Sequence, residues 1–205
     1  MRRFFLSIDF NTFVRQQEVK NIIRTDKIYI MFEEDENDEL MNFKKLPVYI
    51  KAVEISELAD KIAFFVNDSI EKKLEDTELL MAKSYIDDIV SNSYIITAKI
   101  AGAEAVDLYD IKMENAAIIR KAGREISTNC SGLTMFDIDG FDYLDLLREE
   151  IELFRVEFAK WVKTFDQWNY IIDRWGLFNP PGVNYDDHDP DDDLPFNPED
   201  FFENE

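Results

Sequence analysis

The chain has 205 residues, with 44 acidic against 23 basic side chains, one histidine and one cysteine, for a formal net charge of -21. One histidine cannot build a His-rich metal centre, and one cysteine can form neither an internal disulfide nor a four-cysteine zinc site. So large a negative charge repels nucleic-acid phosphates, so direct nucleic-acid binding is not expected.

Residues 1–46 read as an N-terminal extension. Phe4, Leu6, Ile8 and Phe10 alternate as in a strand, and Lys27 to Phe32 would supply its partner. Val19, Ile22 and Ile23 have helical spacing instead, so a small β element and a helical start both remain open. From Pro47 a helix is expected, because proline suits the first turn. Val48, Ala52, Ile55, Ala59, Ile62 and Val66 then mark one apolar face. Asn67, Asp68 and Ser69 read as its end, near 66. A second helix is predicted over 74–103, on the stripe Ala82, Ile86, Ile89, Ser93, Ile96, Ile100 and Ala103. A third is predicted over 104–128, on Ile111, Asn115, Ile118, Ala122 and Ile126, with a bend near Gly102 that leaves one long helix as the alternative.

The last helix is predicted over 142–175. Leu144, Leu147, Ile151, Phe154, Phe158, Trp161, Phe165, Trp168, Ile172 and Trp175 alternate spacings of three and four, a five-heptad seam. The 132 residues between Pro47 and Pro180 contain no proline, as long helices require. The expected architecture is an all-α, up-and-down bundle of about four helices over 47–179, followed by a disordered acidic Pro-rich tail over 180–205. Residues 184–205 hold ten acids and no Lys or Arg. No apolar run approaches the ~20 residues of a membrane span, and the free Cys130 suits a reducing compartment, so a cytoplasmic protein with no membrane association is expected.

Catalytic constellations find little support. Asp137-Ile138-Asp139-Gly140-Phe141-Asp142 resembles part of a calcium loop, but glycine sits at position four and Arg148 at position twelve. It reads as a polar turn in which Asp139 or Asp142 caps the last helix. Glu54, Asp87, Asp107 and Glu114 are loose candidates for a carboxylate-only cation site. No phosphate-binding glycine loop occurs, and Cys130 has no histidine in the body to activate it. No catalytic residue, cofactor or metal is assigned.

Partner-binding residues are expected in two places. Trp168, Trp175 and Phe178 would overhang the bundle and make an oligomer contact. In the tail, Asp191, Asp192, Asp193, Leu194, Phe196, Phe201 and Phe202 interleave acid with apolar groups, which suits docking on a basic, apolar-lined groove. The Asp191 to Phe196 string resembles the acidic tip of bacterial single-stranded-DNA-binding proteins, although here nine residues follow Phe196.

Tyr49 to Ile55, Ala98 to Gly102 and Tyr109 to Ala117 resemble a family of four-helix-bundle proteins. These are the proteins of ribosomal-RNA intervening sequences and the accessory variability proteins of retroelements. That resemblance implies a bundle and homo-oligomerisation; the family's nucleic-acid binding does not suit a body carrying more acids than bases. The sequence therefore points to a non-enzymatic interaction or scaffold protein that self-associates through aromatic helix faces. The alternatives are an acidic mimic of nucleic acid that inhibits a basic partner, and a carboxylate-only metal enzyme.

Overall fold

The computed structural model describes residues 39–189. A short 3₁₀ segment, Glu39–Lys45, leads into four α-helices: α1 (Pro47–Lys73), α2 (Asp76–Glu104), α3 (Tyr109–Leu133) and α4 (Phe141–Val162). No strand occurs among the described residues. The expected β element at Phe4–Phe10 lies outside them, as does the tail from 190 onward. Consecutive helices pack side by side and α4 closes on α1, so the fold is an all-α, up-and-down four-helix bundle.

α1 and α2 bury the faces their spacing dictates. Val48, Ala52, Ile55, Ala59, Ile62 and Val66 on α1 are at most 3% exposed, and the whole predicted stripe on α2 lies in the core. α1 does not break at Asn67. Ile70 continues the apolar rhythm and is fully buried, which draws one more turn into the helix. The Ser69 hydroxyl accepts the Asp139 N–H at 2.9 Å and ties that turn to the α3–α4 connection. The helix ends where Leu74 and Glu75 become extended. Gly102 stays inside α2, and the chain reverses at Ala105–Leu108. Residues 76–133 are therefore two helices.

α3 is rotated from the expected face. Tyr109, Ala116, Ile119, Ala122, Gly123, Ile126, Cys130 and Leu133 are buried, while Ile111, Asn115 and Ile118 are half-buried. At Gly132 the missing side chain lets α2 approach closely. A Cβ at Gly132 would stand 2.9 Å from Cε2 of the Tyr85 ring.

α4 starts at Gly140, whose φ of 102° is open to glycine and strained for other residues. No side chain caps this helix, so neither Asp139 nor Asp142 plays the expected capping role. Asp139 faces α1 instead, 2.9 Å from Lys73 Nζ. Hydrogen bonding to Lys73 and its charge hold the Asp139 carboxyl below its ordinary value. Leu144, Leu147, Ile151, Phe154 and Trp161 are buried, with Phe158 half-buried. The seam therefore holds over its first turns, but the helix stops at Val162 and not at 175.

Candidate interaction site

After Val162 the chain folds across the end of the bundle where α2 turns into α3. The Thr164 N–H and hydroxyl both donate to the Trp161 carbonyl, at 2.9 and 2.7 Å, which closes the last turn. Phe165 tucks back edge-on against Trp161, ring centroids 4.8 Å apart. The Trp161 indole N–H donates to Glu104 at 2.8 Å, and the Lys112 ammonium lies 5.7 Å from the centre of the Phe165 ring. Both contacts join the helix exit to the α2–α3 turn.

Residues 166–189 then form an ordered strap. The Asn169 carbonyl accepts the Tyr109 N–H at 2.7 Å, one of the donors that the start of α3 leaves unpaired. The Asn169 amide donates to the Asp107 carbonyl, and Asp110 accepts the Ile171 N–H at 3.0 Å. Ile172 is buried. The strap therefore caps α3, and a continuous helix through 175 would forfeit every one of these bonds.

Two Asp-x-Trp tripeptides set the strap's geometry. Asp166 accepts the Trp168 N–H at 3.0 Å, and Asp173 accepts the Trp175 N–H at 2.9 Å. Each is a side-chain turn in which aspartate bonds the backbone two residues on. The second turn is reinforced. The other Asp173 oxygen accepts the N–H groups of Leu177 and Phe178, at 2.8 and 2.9 Å. Gly176 follows at φ 72°. The Asp173 backbone N–H donates to the Asn179 side-chain oxygen, and the Asn179 amide donates to the Asp173 carbonyl. Partial burial works to raise the Asp173 carboxyl, but the backbone donors Phe178, Trp175 and Leu177 outweigh it and hold it below the ordinary carboxylate range. Arg174 donates to the carbonyls of Tyr185 and Asp187 at 3.0 and 2.7 Å, fastening the far end.

This scaffold leaves Trp168 91% and Trp175 90% exposed, with Ile171, Leu177 and Tyr185 exposed beside them. Phe178 is half-buried. Trp168 and Trp175 are thus brought onto one strap, but not as the end of a helical seam. Trp161, the third of the heptad-spaced tryptophans, is 6% exposed. Asp191, Asp192, Asp193, Leu194, Phe196, Phe201 and Phe202 lie outside the described residues.

Comparison with family models, with curated proteins and with solved structures gives no match.

The other candidates are weaker. A cleft of about 320 Å³ lies at the opposite end, between α1 and the start of α4. Its two lysines are already engaged, Lys72 by Asp68 at 2.6 Å and Lys73 by Asp139. The loose carboxylates do not converge: Glu54 pairs with Lys51, Asp107 faces Lys112, and Asp87 and Glu114 are exposed. Among the described residues no group of three or more His, Cys, Asp or Glu could hold a metal ion. Burial pushes the Cys130 thiol up to about 12, against a smaller opposing effect of Arg148, so its thiolate is scarce at neutral pH. No helix among the described residues is long and apolar enough to cross a membrane.

Proposed function

We propose that this chain is a non-enzymatic protein-interaction module whose docking element is the strap, and that its partner presents an apolar surface with a basic rim. One observation carries the reading: two tryptophans, each about nine-tenths exposed, stand on a loop pinned by side-chain hydrogen bonds. Burying a tryptophan removes roughly 200 Å² from water, which is worth roughly 5 kcal/mol of gross transfer free energy. A fixed loop that displays two of them loses little conformational entropy when it docks.

The rim chemistry supports the choice of partner. Residues 163–189 carry Asp166, Asp173, Asp186, Asp187 and Asp189 against Lys163 and Arg174. Arg174 is occupied by backbone carbonyls, and Asp107 beside the strap is 90% exposed. Two such acidic faces repel each other, so a basic partner is favoured over a second copy, the occupant that the family resemblance implies. The acidic-mimic reading makes a different demand: its binding rests on charge alone and is indifferent to the tryptophans.

The test is photo-crosslinking in the native host from a benzophenone side chain placed at 168 or 175 of the full chain, with Leu153 as an exposed control position on α4. A crosslink to a basic protein from 168 and 175, and not from 153, supports the reading. A crosslink at twice the chain's own mass identifies self-association instead. Equal labelling from all three positions contradicts a docking strap.

A further inference from the structure

Of the six glycines only Gly140 follows an acid or an amide, so Asp139-Gly140 is the one dipeptide of its kind in the chain. An aspartyl-glycyl bond is open to a rearrangement that needs no enzyme. The Gly140 nitrogen attacks the carboxyl carbon of Asp139, and its proton leaves with the carboxyl hydroxyl as water. The product is a five-membered succinimide, which water reopens at either carbonyl. One opening restores aspartate. The other gives isoaspartate, in which the main chain runs through the former side-chain carbon. Glycine favours ring closure because no side chain shields its nitrogen and its backbone angles are the least restricted.

The fold requires this glycine and restrains the aspartate before it. Gly140 stands at φ 102°, and its carbonyl accepts the N–H groups of Tyr143 and Leu144, at 3.0 and 3.3 Å, to open α4. The Asp139 side chain is 77% exposed, so water reaches it. It is nevertheless not free to turn toward Gly140. One carboxyl oxygen meets Lys73 Nζ at 2.9 Å, and the other accepts the Ser69 hydroxyl at 3.4 Å. The Asp139 N–H donates to that same hydroxyl at 2.9 Å. Ser69 and Lys73 lie in the last two turns of α1, and ring closure has to swing the carboxyl off both. Closure also proceeds best from the neutral acid, whose hydroxyl can leave. The hydrogen bond from Lys73, and then its charge, hold the carboxyl below its ordinary value and keep that form scarce.

We propose that Asp139-Gly140 is a covalent modification site, kept as aspartate by Ser69 and Lys73 and converted to isoaspartate when α1 and the start of α4 part. Water is the only co-reactant. The converted chain does not close as before. An extra main-chain carbon ahead of Gly140 displaces the start of α4 and draws the carboxylate away from Lys73. Tyr143, which stacks on Phe65 with ring centroids 5.6 Å apart, moves with it. An episode of opening therefore leaves a lasting mark at the end of the bundle opposite the strap.

The test incubates the full chain at neutral pH and physiological temperature, folded and in urea. Trypsin then releases peptide 125–148, and electron-transfer mass spectrometry distinguishes isoaspartate from aspartate in it. Asp137, Asp142 and Asp145 lie in the same peptide before Ile138, Tyr143 and Leu146, and serve as internal controls. In urea, conversion is expected at Asp139 and at the same rate in every variant. In the folded parent it should be slower by about tenfold or more, since the junction has to open first. Lys73→Ala should convert about fivefold faster than the folded parent, the factor an exposed ion pair supplies at the upper end of its range. Ser69→Ala should also be faster, and Lys73→Arg should hold the parent rate. Lys83→Ala, which loses only the pair with Glu71, should leave the rate unchanged. Circular dichroism should be the same for all. A folded parent that converts at the urea rate overturns the proposal, as do Lys73→Ala and Ser69→Ala that both keep the parent rate. Equal conversion at all four aspartates, or none at Asp139 in urea, overturns it too.

Discussion

Three tryptophans spaced seven apart offer a sharp quantitative contrast. As one helical seam, Trp161, Trp168 and Trp175 would all be core residues, and each change to alanine would cost several kcal/mol. In the structure Trp161 is 6% exposed, while Trp168 and Trp175 are 91% and 90% exposed. Full burial of a tryptophan is worth roughly 5 kcal/mol at about 25 cal/mol per Å². Trp161→Ala is therefore expected to cost about 3–5 kcal/mol, including its cavity and the indole bond to Glu104. The one-tenth of Trp168 or Trp175 that is buried is worth about 0.5 kcal/mol on the same scale. Their alanine variants should lie within about 0.5 kcal/mol of the parent. Urea unfolding followed by far-ultraviolet circular dichroism measures all three without relying on tryptophan emission. A loss above about 1 kcal/mol for Trp168→Ala or Trp175→Ala would refute the exposure described here. A loss that grows with protein concentration would show that these side chains are buried against a second copy.

Three further outcomes are expected. Asp173 has its folded pKa lowered, so its contribution is present above the ordinary carboxylate value near about 3.9 and is lost as pH falls through the lower folded value. In an acid titration the amide resonances of Trp175, Leu177 and Phe178 should shift below that ordinary value, and a midpoint at or above it contradicts the three-donor geometry. Asp110→Ala removes both the acceptor for Ile171 and a negative charge in the first turn of α3. It should cost about 1–2 kcal/mol and speed amide exchange at Ile171, whereas unchanged exchange means that the strap does not rest on Asp110. Cys130, with its thiol pushed up to about 12, should be alkylated at mildly alkaline pH about a thousandfold more slowly than a free cysteine. Labelling at the free-thiol rate without denaturant would show that the α3 core opens.

The bundle was legible where one residue type dominates a face. The α1 and α2 stripes are runs of Ile, Val and Ala that have one burial solution at helical period. α3 was legible as a helix but not in its rotation, because its buried face mixes Ile119, Ile126 and Leu133 with Ala116, Ala122 and Gly123, and small residues mark a face only weakly. Asn67-Asp68-Ser69 misled because Ser69 and Asp68 bond across and along the helix, and buried Ile70 carries the helix past them. Asp139 misled because a carboxylate near a helix start usually caps it, while here Lys73 competes for it.

The strap was hidden by a coincidence of period. Two Asp-x-Trp turns repeated at seven residues place tryptophans at heptad spacing, which is the signature of a helical seam. The distinguishing signal was present in the aspartates two residues before each tryptophan, in Gly176 after the second, and in Pro180 beyond. Helix interiors disfavour aspartate and glycine, and turns favour both.

The central claim is that Trp168 and Trp175 carry the binding. It is tested most directly by calorimetric titration of the crosslinked partner with the parent chain and with W168A/W175A at fixed salt. Exposed tryptophans that become binding hot spots are each worth about 2 kcal/mol or more, so the double variant should bind at least a hundredfold more weakly while remaining equally stable. An unchanged dissociation constant, with affinity that instead falls steeply as salt is raised, would contradict the claim and leave charge alone as the means of recognition.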